Sequence, residues 1–318
     1  MNVSTASHRR ATRRTRITLI GAATAVAMLT LAGCASGDPL DSESETDGGA
    51  AASDTIVVGS QQYYSNEIIA EIYAQALEAN GFTVERTFNI GQRDAYIPSL
   101  ENGEVDLFPE YTGNLLQYYV PETPARTTDD VYEALTEALP EELRALDQAE
   151  ATDQDAYFVT KEFADANKLE SIGDLAAVTT PLTLGGNPEL ATRPYGPEGL
   201  ESVYGVTVGF TPIADSGGPL TQQALRANEV QLVDIYTSDP TSLADDLVML
   251  EDPEGLLLAS HVVPLAGEGV SEEAAAVINK VQGALSVADL VALNGQSVND
   301  ELAAPEIATQ WLEEKALF

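Results

Sequence analysis

Histidine, cysteine, tryptophan and basic side chains are all scarce in this 318-residue chain. Each scarcity closes a class of function. A single cysteine, Cys34, excludes an intramolecular disulfide. Two histidines, His8 and His261, give too few ligands for a zinc site, and no calcium-loop pattern occurs. No metal and no cofactor is therefore expected. Ser260-His261 invites a hydrolase reading, but neighbours on a strand point to opposite faces, and no Gly-x-Ser-x-Gly turn accompanies them. An enzyme is not expected, and a secreted hydrolase stands only as an alternative. With 15 basic against 51 acidic residues the formal net charge is -36. Such a surface lacks the clustered Lys and Arg that phosphates need, which argues against nucleic acid. It also repels anionic lipid headgroups, so a membrane location requires an anchor.

The few cations are unevenly placed. Arg9, Arg10, Arg13, Arg14 and Arg16 precede an apolar run from Ile17 to Ala32, and no acid precedes Asp38. That run is too short and too interrupted for a transmembrane helix, and residues 1–33 read as a signal peptide. Leu31-Ala32-Gly33-Cys34 resembles the lipobox of bacterial lipoproteins. The resemblance implies cleavage before Cys34 and lipid on its thiol, holding the protein outside the membrane. Arg13-Arg14 permits a twin-arginine signal, but Arg16 favours the general secretory route. Residues 34–54 are small, acidic and free of aromatics, and read as a flexible tether.

From Thr55 onward apolar β-branched runs alternate with helical periodicity. Strands are expected at 55–58, 83–88, 105–108, 157–160, 182–185, 207–211, 231–235 and 262–265. Helices are expected at 66–80, 94–102, 130–139, 140–146, 272–285, 287–293 and 305–316. The alternation is the signature of α/β layers with largely parallel sheets. The length suffices for two lobes with a cleft between them, where small ligands bind. Gly217-Gly218-Pro219 lacks the Lys and spacing of a phosphate loop and reads as a tight turn opening a helix.

Four segments carry a family resemblance. They are Val57-Val58-Gly59-Ser60 with Asn66-Glu67; the run from Gly103 to Gly113 (GEVDLFPEYTG); Asp215-Ser216-Gly217-Gly218-Pro219-Leu220 with 233–239 (VDIYTSD); and His261-Val262-Val263-Pro264-Leu265. Together they resemble the glycine betaine/choline/osmoprotectant substrate-binding proteins of ABC importers. The resemblance implies a two-lobe periplasmic-binding-protein (Venus-flytrap) fold, with lobe 1 from 55–155 plus 262–318 and lobe 2 from 156–261. It implies a small quaternary ammonium ligand, an ABC transporter permease as partner, and a monomer.

A quaternary ammonium has no hydrogen-bond donor, so aromatic faces hold it through their quadrupole. With 12 tyrosines and one tryptophan, any cage is tyrosine-built. By resemblance Tyr111, Tyr157 and Tyr236 take cage positions, the Asp155 carbonyl adds negative charge, and Arg193 grips a ligand carboxylate, a geometry that guanidinium suits. Where the family often carries a lysine stands Gln61, where it carries a threonine stands Asn114, and where a fourth aromatic is expected stands Ser260. Gln61 and Asn114 are expected as neutral donors. The other tyrosines, Tyr63 and Tyr195 among them, are expected to serve packing or the surface. An amino acid or another small solute on the same fold is the alternative ligand.

Overall fold

The computed structural model describes residues 55–318. The expected signal peptide, Cys34 and the tether lie outside the described residues. Two five-stranded sheets form, each covered by helices. The first is made of β1 (Thr55–Gly59), β2 (Thr83–Thr87), β3 (Leu107–Tyr111), β4 (Leu143–Ala145) and β10 (Val262–Gly267), in the order β2-β1-β3-β10-β4. β1 pairs in parallel with β2 and β3, whereas β10 returns antiparallel to β3 and β4. The second comprises β5 (Asp155–Thr160), β6 (Thr183–Gly186), β7 (Gly209–Pro212), β8 (Leu232–Tyr236) and β9 (Leu247–Met249), in the order β7-β6-β8-β5-β9. Here β6 pairs in parallel with β7 and β8, and β5 runs antiparallel to β8 and β9.

The helices cover the sheets as the apolar periodicity demands. α1 (Tyr64–Ala79) buries Ile68, Ile69, Ile72, Tyr73, Ala76 and Leu77. It packs with α8 (Glu272–Gln282), α9 (Val287–Asn299) and α10 (Ala304–Lys315) over one face of the first sheet, around Val58, Leu107, Val262 and Trp311. α2 (Arg93–Glu101), α3 (Thr112–Tyr119) and α4 (Thr128–Ala138) cover the other face around Phe108, Leu116, Val131 and Val263. The second sheet likewise carries α5 (Lys161–Asn167), α6 (Pro197–Tyr204) and α7 (Pro219–Arg226) around two buried clusters. Among the described residues no single helix is long and apolar enough to cross a membrane.

Most expected elements form close to their sequence limits, although the strand expected at 105–108 runs to Tyr111 and the helix expected at 287–293 runs to Asn299. One expected helix does not form. Residues 140–146, expected as an acidic helix, contain the edge strand β4 instead. Pro140 closes a turn onto Leu143, and 143–145 pair with β10. Ladder bonds offered by a neighbouring strand outweigh the local helix preference of Glu and Leu. At 215–220 the turn reading holds: Ser216 and Gly217 take positive φ, and the Asp215 carboxylate accepts from the N–H groups of Leu220 and Thr221. The N-terminus of α7 is thus satisfied from within the chain.

Candidate functional site

The chain crosses between the sheets twice, at 152–155 and at 258–262, and these crossings pair through a Thr152–His261 bridge and an Asp153 N–H to Ser260 carbonyl bond of 2.9 Å. Beside them lies a cavity with about 510 Å³ of empty space including its mouth. Its walls come from both sheets. Gln61, Tyr63, Arg93, Tyr111 and Asn114 enter from the first side, and Asn187, Glu189, Arg193, Tyr195, Asp234 and Tyr236 from the second. Asp153 and Asp155 enter from the crossing itself.

The residues on the first side sit where strands end. β1 stops at Gly59 and delivers Gln61 and Tyr63, and β3 delivers Tyr111 at its carboxyl end, the place where open α/β sheets build ligand sites. Asn66 fixes this corner: its Oδ1 accepts from the Gln61 N–H at 2.9 Å, and its Nδ2 donates to the Pro109 carbonyl and the Tyr111 hydroxyl. Arg93 is buried and donates in parallel to Glu110 at 2.7 and 2.9 Å. Burial opposes the Arg93 charge, but Glu110 more than offsets this and holds the guanidinium protonated. Tyr96 also donates to Glu110, and Gln61 Nε2 donates to Tyr96 at 3.1 Å. This group is closed on itself.

Asn114 spans the cavity. Its Nδ2 donates to the Asp155 carboxylate and to the Tyr195 hydroxyl, the latter at 3.1 Å. Ser260 steadies it, donating to Asn114 Oδ1 at 2.7 Å and accepting from the Asn114 N–H. Ser260 is 1% exposed and does not line the cavity, so the missing aromatic leaves no gap there. A Cβ on Gly113 would come within 2.8 Å of Ser260 Oγ, which is why α3 can approach the crossing only with glycine at that place. His261 takes other partners, the Ala149 carbonyl at 2.8 Å and Thr128. Ser260 and His261 are thus not a nucleophile–base pair.

Of the expected site residues, Gln61, Tyr111, Asn114, Asp155, Arg193 and Tyr236 line one cavity. Asp155 presents its carboxylate, which accepts from Asn114. Tyr157 is the exception. It shares a sheet face with Asp155, but it lies two residues deeper, is fully buried among Leu184, Leu200 and Leu232, and donates its hydroxyl to the Tyr195 carbonyl. The alternation put it on the right face; the segment carrying Tyr195 covers it. Tyr157 is a support for Tyr195 and not a wall.

Tyr63 and Tyr195, expected as packing, are walls. Tyr63 meets Tyr236 edge-to-face across the cleft at 5.0 Å between centroids. Sequence reasoning also passed over Asp153 and Asp234. The signal for Asp234 was present: it lies two residues before Tyr236 on a strand and so shares its face. Burial, then the neighbouring Asp155, pushes the Asp234 carboxyl well above its usual range. Burial pushes Asp153 up to about 7, although Ser238 and the Tyr63 hydroxyl, which faces it without reaching hydrogen-bond geometry, favour its charged form. Arg193 is half-buried, and its side chain makes no hydrogen bond or ion pair among the described residues. It is the cavity's uncommitted cation.

Hydrogen bonds also link the two sides. Tyr64 donates to Asp239 at 2.8 Å, and Asn294 of α9 donates to the Ser238 carbonyl and hydroxyl.

Residues 54–314 match the family model described as the substrate-binding domain of ABC-type glycine betaine transport systems. The chain is 25% identical over 279 residues to the glycine betaine-binding protein YehZ of Escherichia coli (strain K12), covering 83% of this chain and 92% of that protein. It is 25% identical over 292 residues to a glycine-betaine-binding protein of Pseudomonas aeruginosa, covering 85% and 91%. Among solved structures, a glycine betaine/carnitine/choline ABC transporter protein superposes with a TM-score of 0.67 at 21% identity, covering 82% of this chain and 99% of that one. That likeness concerns the fold, and it agrees with the two-lobe α/β architecture expected from the sequence.

Proposed function

This chain belongs to the family of substrate-binding domains of ABC-type glycine betaine transport systems, and from that premise we propose that it captures a small methylated ammonium solute of the glycine betaine or choline type outside the membrane and delivers it to an ABC importer. The observation that carries this reading is the interlobe cavity: four tyrosines, Tyr63, Tyr111, Tyr195 and Tyr236, line it, and the Arg193 side chain enters it with no partner among the described residues. Aromatic faces favour a cation that cannot donate hydrogen bonds. A free guanidinium favours a carboxylate at the other end. The four rings replace the three-tyrosine cage expected from sequence, with Tyr63 and Tyr195 standing in for Tyr157.

The two sides act as lobes, 55–155 with 262–318 and 156–261, that part at the paired crossings to admit the solute and close through Tyr64–Asp239 and Asn294–Ser238. The protein works as a monomer, held to the membrane by lipid on Cys34 after removal of residues 1–33. Calorimetry of the purified protein with glycine betaine and choline tests the ligand reading; binding of neither would refute it. Mass spectrometry of the native protein tests the anchor, which predicts a chain beginning at an acylated Cys34.

A further inference from the structure

The cavity carries more negative charge than a methylated zwitterion neutralises, and part of that charge lacks donors. Asp153, Asp155, Glu189 and Asp234 line it. The lining cations are Arg93, already committed to Glu110, and Arg193. Asp155 accepts from Asn114, and Asp153 Oδ1 accepts from Ser238 at 2.5 Å. Among the described residues the second oxygen of Asp153 and Oδ1 of Asp234 are buried without a hydrogen-bond partner, and the Tyr63 hydroxyl, which faces Asp153, completes no bond either. These three side chains are 3%, 5% and 6% exposed and all belong to the cavity wall.

Buried polar atoms are nearly always hydrogen-bonded, and leaving a carboxylate oxygen unmatched is costly. A fully methylated ammonium brings charge but no donor. It answers the field of the aspartates but leaves the second oxygen of Asp153 and Oδ1 of Asp234 unpaired. An ammonium that keeps one hydrogen does both: its methyl groups lie against the tyrosine faces, and its N–H points at a carboxylate. We infer that this cavity is built for an ammonium that retains at least one N–H donor, received by Asp153 or Asp234, and that it prefers such a cation to the corresponding quaternary one. The inference rests on the reading of this cavity as the solute site. Within the methylated ammoniums it places partly methylated, protonated amines ahead of quaternary ones, with or without a carboxylate for Arg193. The high proton affinity of both acids agrees with a site whose empty form holds a proton that a cation replaces.

The test is a pairwise comparison at neutral pH by calorimetry on the purified protein. Glycine betaine is set against N,N-dimethylglycine, and choline against N,N-dimethylethanolamine. Each pair differs by one methyl replaced with hydrogen. The partly methylated member is expected to bind about tenfold tighter in both pairs, as one charge-assisted hydrogen bond gained implies. Asp153→Asn and Asp234→Asn are each measured with the same four probes, and at least one is expected to abolish the preference while keeping measurable binding. Equal or tighter binding of the quaternary member in both pairs overturns the inference and leaves the methylated-ammonium function standing. A preference that survives in both variants overturns the assignment to these acids. Binding of none of the four overturns the function and the inference together.

Discussion

The two sheets share one plan and differ in how they spend their charge. Each places its second parallel strand at the edge, its first beside it, its third in the middle, then a strand of opposite direction and a short outer one. Around the cavity, however, the first side offers charge already cancelled, Arg93 locked to Glu110 and Tyr96. The second side offers Arg193 and Asp234 without ion-pair partners among the described residues. The lesson is that each side supplies two rings, but the first adds a neutralised wall, whereas the second and the crossing add the charged groups that a ligand must answer.

The comparison breaks first if the two arginines behave alike. Arg93→Ala strands Glu110 in a buried site and is expected to cost about 3–5 kcal/mol of folding stability, read by chemical denaturation; Arg193→Ala should leave stability nearly unchanged. The converse holds for binding. Arg193→Ala is expected to weaken glycine betaine by about 1.5–3 kcal/mol, on the order of 10- to 150-fold, and choline little; equal losses for both ligands in calorimetry would remove Arg193 from carboxylate recognition.

The crossing between the lobes should respond to pH. The folded Asp153 titrates at about 7 against an ordinary 3.8. The native state therefore keeps a proton that the unfolded chain surrenders between those values. The contribution of this group to stability is whole below about 3.8 and lost as pH rises through about 7. Bound cations favour the carboxylate, so affinity should fall below pH 7 by up to about tenfold per unit, and Asp153→Asn should flatten the profile.

Rings separate the lobes more finely. Tyr236→Ala should weaken every methylated ammonium by about 0.5–2 kcal/mol, with or without a carboxylate. Tyr157→Phe, which removes only the bond to the Tyr195 carbonyl, should act through the placement of Tyr195 and show as lost stability more than lost affinity. The smallest effect is expected from Tyr64→Phe. It deletes one interlobe bond and should loosen closure by about fivefold or less, measurable as faster ligand release in stopped flow.

Most of the chain's strands and longer helices were written in its apolar periodicity, because period 2 and period 3.6 are local properties that each segment carries by itself, whereas the short α3, α5, α6 and β9 were not among the expected elements. The turn at Gly217 and six of the seven expected cavity residues were legible for related reasons, a positive φ that suits glycine in one case and a family motif in the others. What only the tertiary structure decided was depth and company. Residues 140–146 became an edge strand because β10 offered a ladder. Tyr157 and Tyr195 exchanged roles because a segment nearly forty positions away lies over the first and exposes the second to the cavity. Arg93 is committed because folding brings Glu110 within hydrogen-bond reach of it, whereas no acid among the described residues pairs with Arg193. Alternation fixes which face a side chain takes, but burial and partnership are properties of what other segments bring, and those distances exist only after the chain has closed on itself.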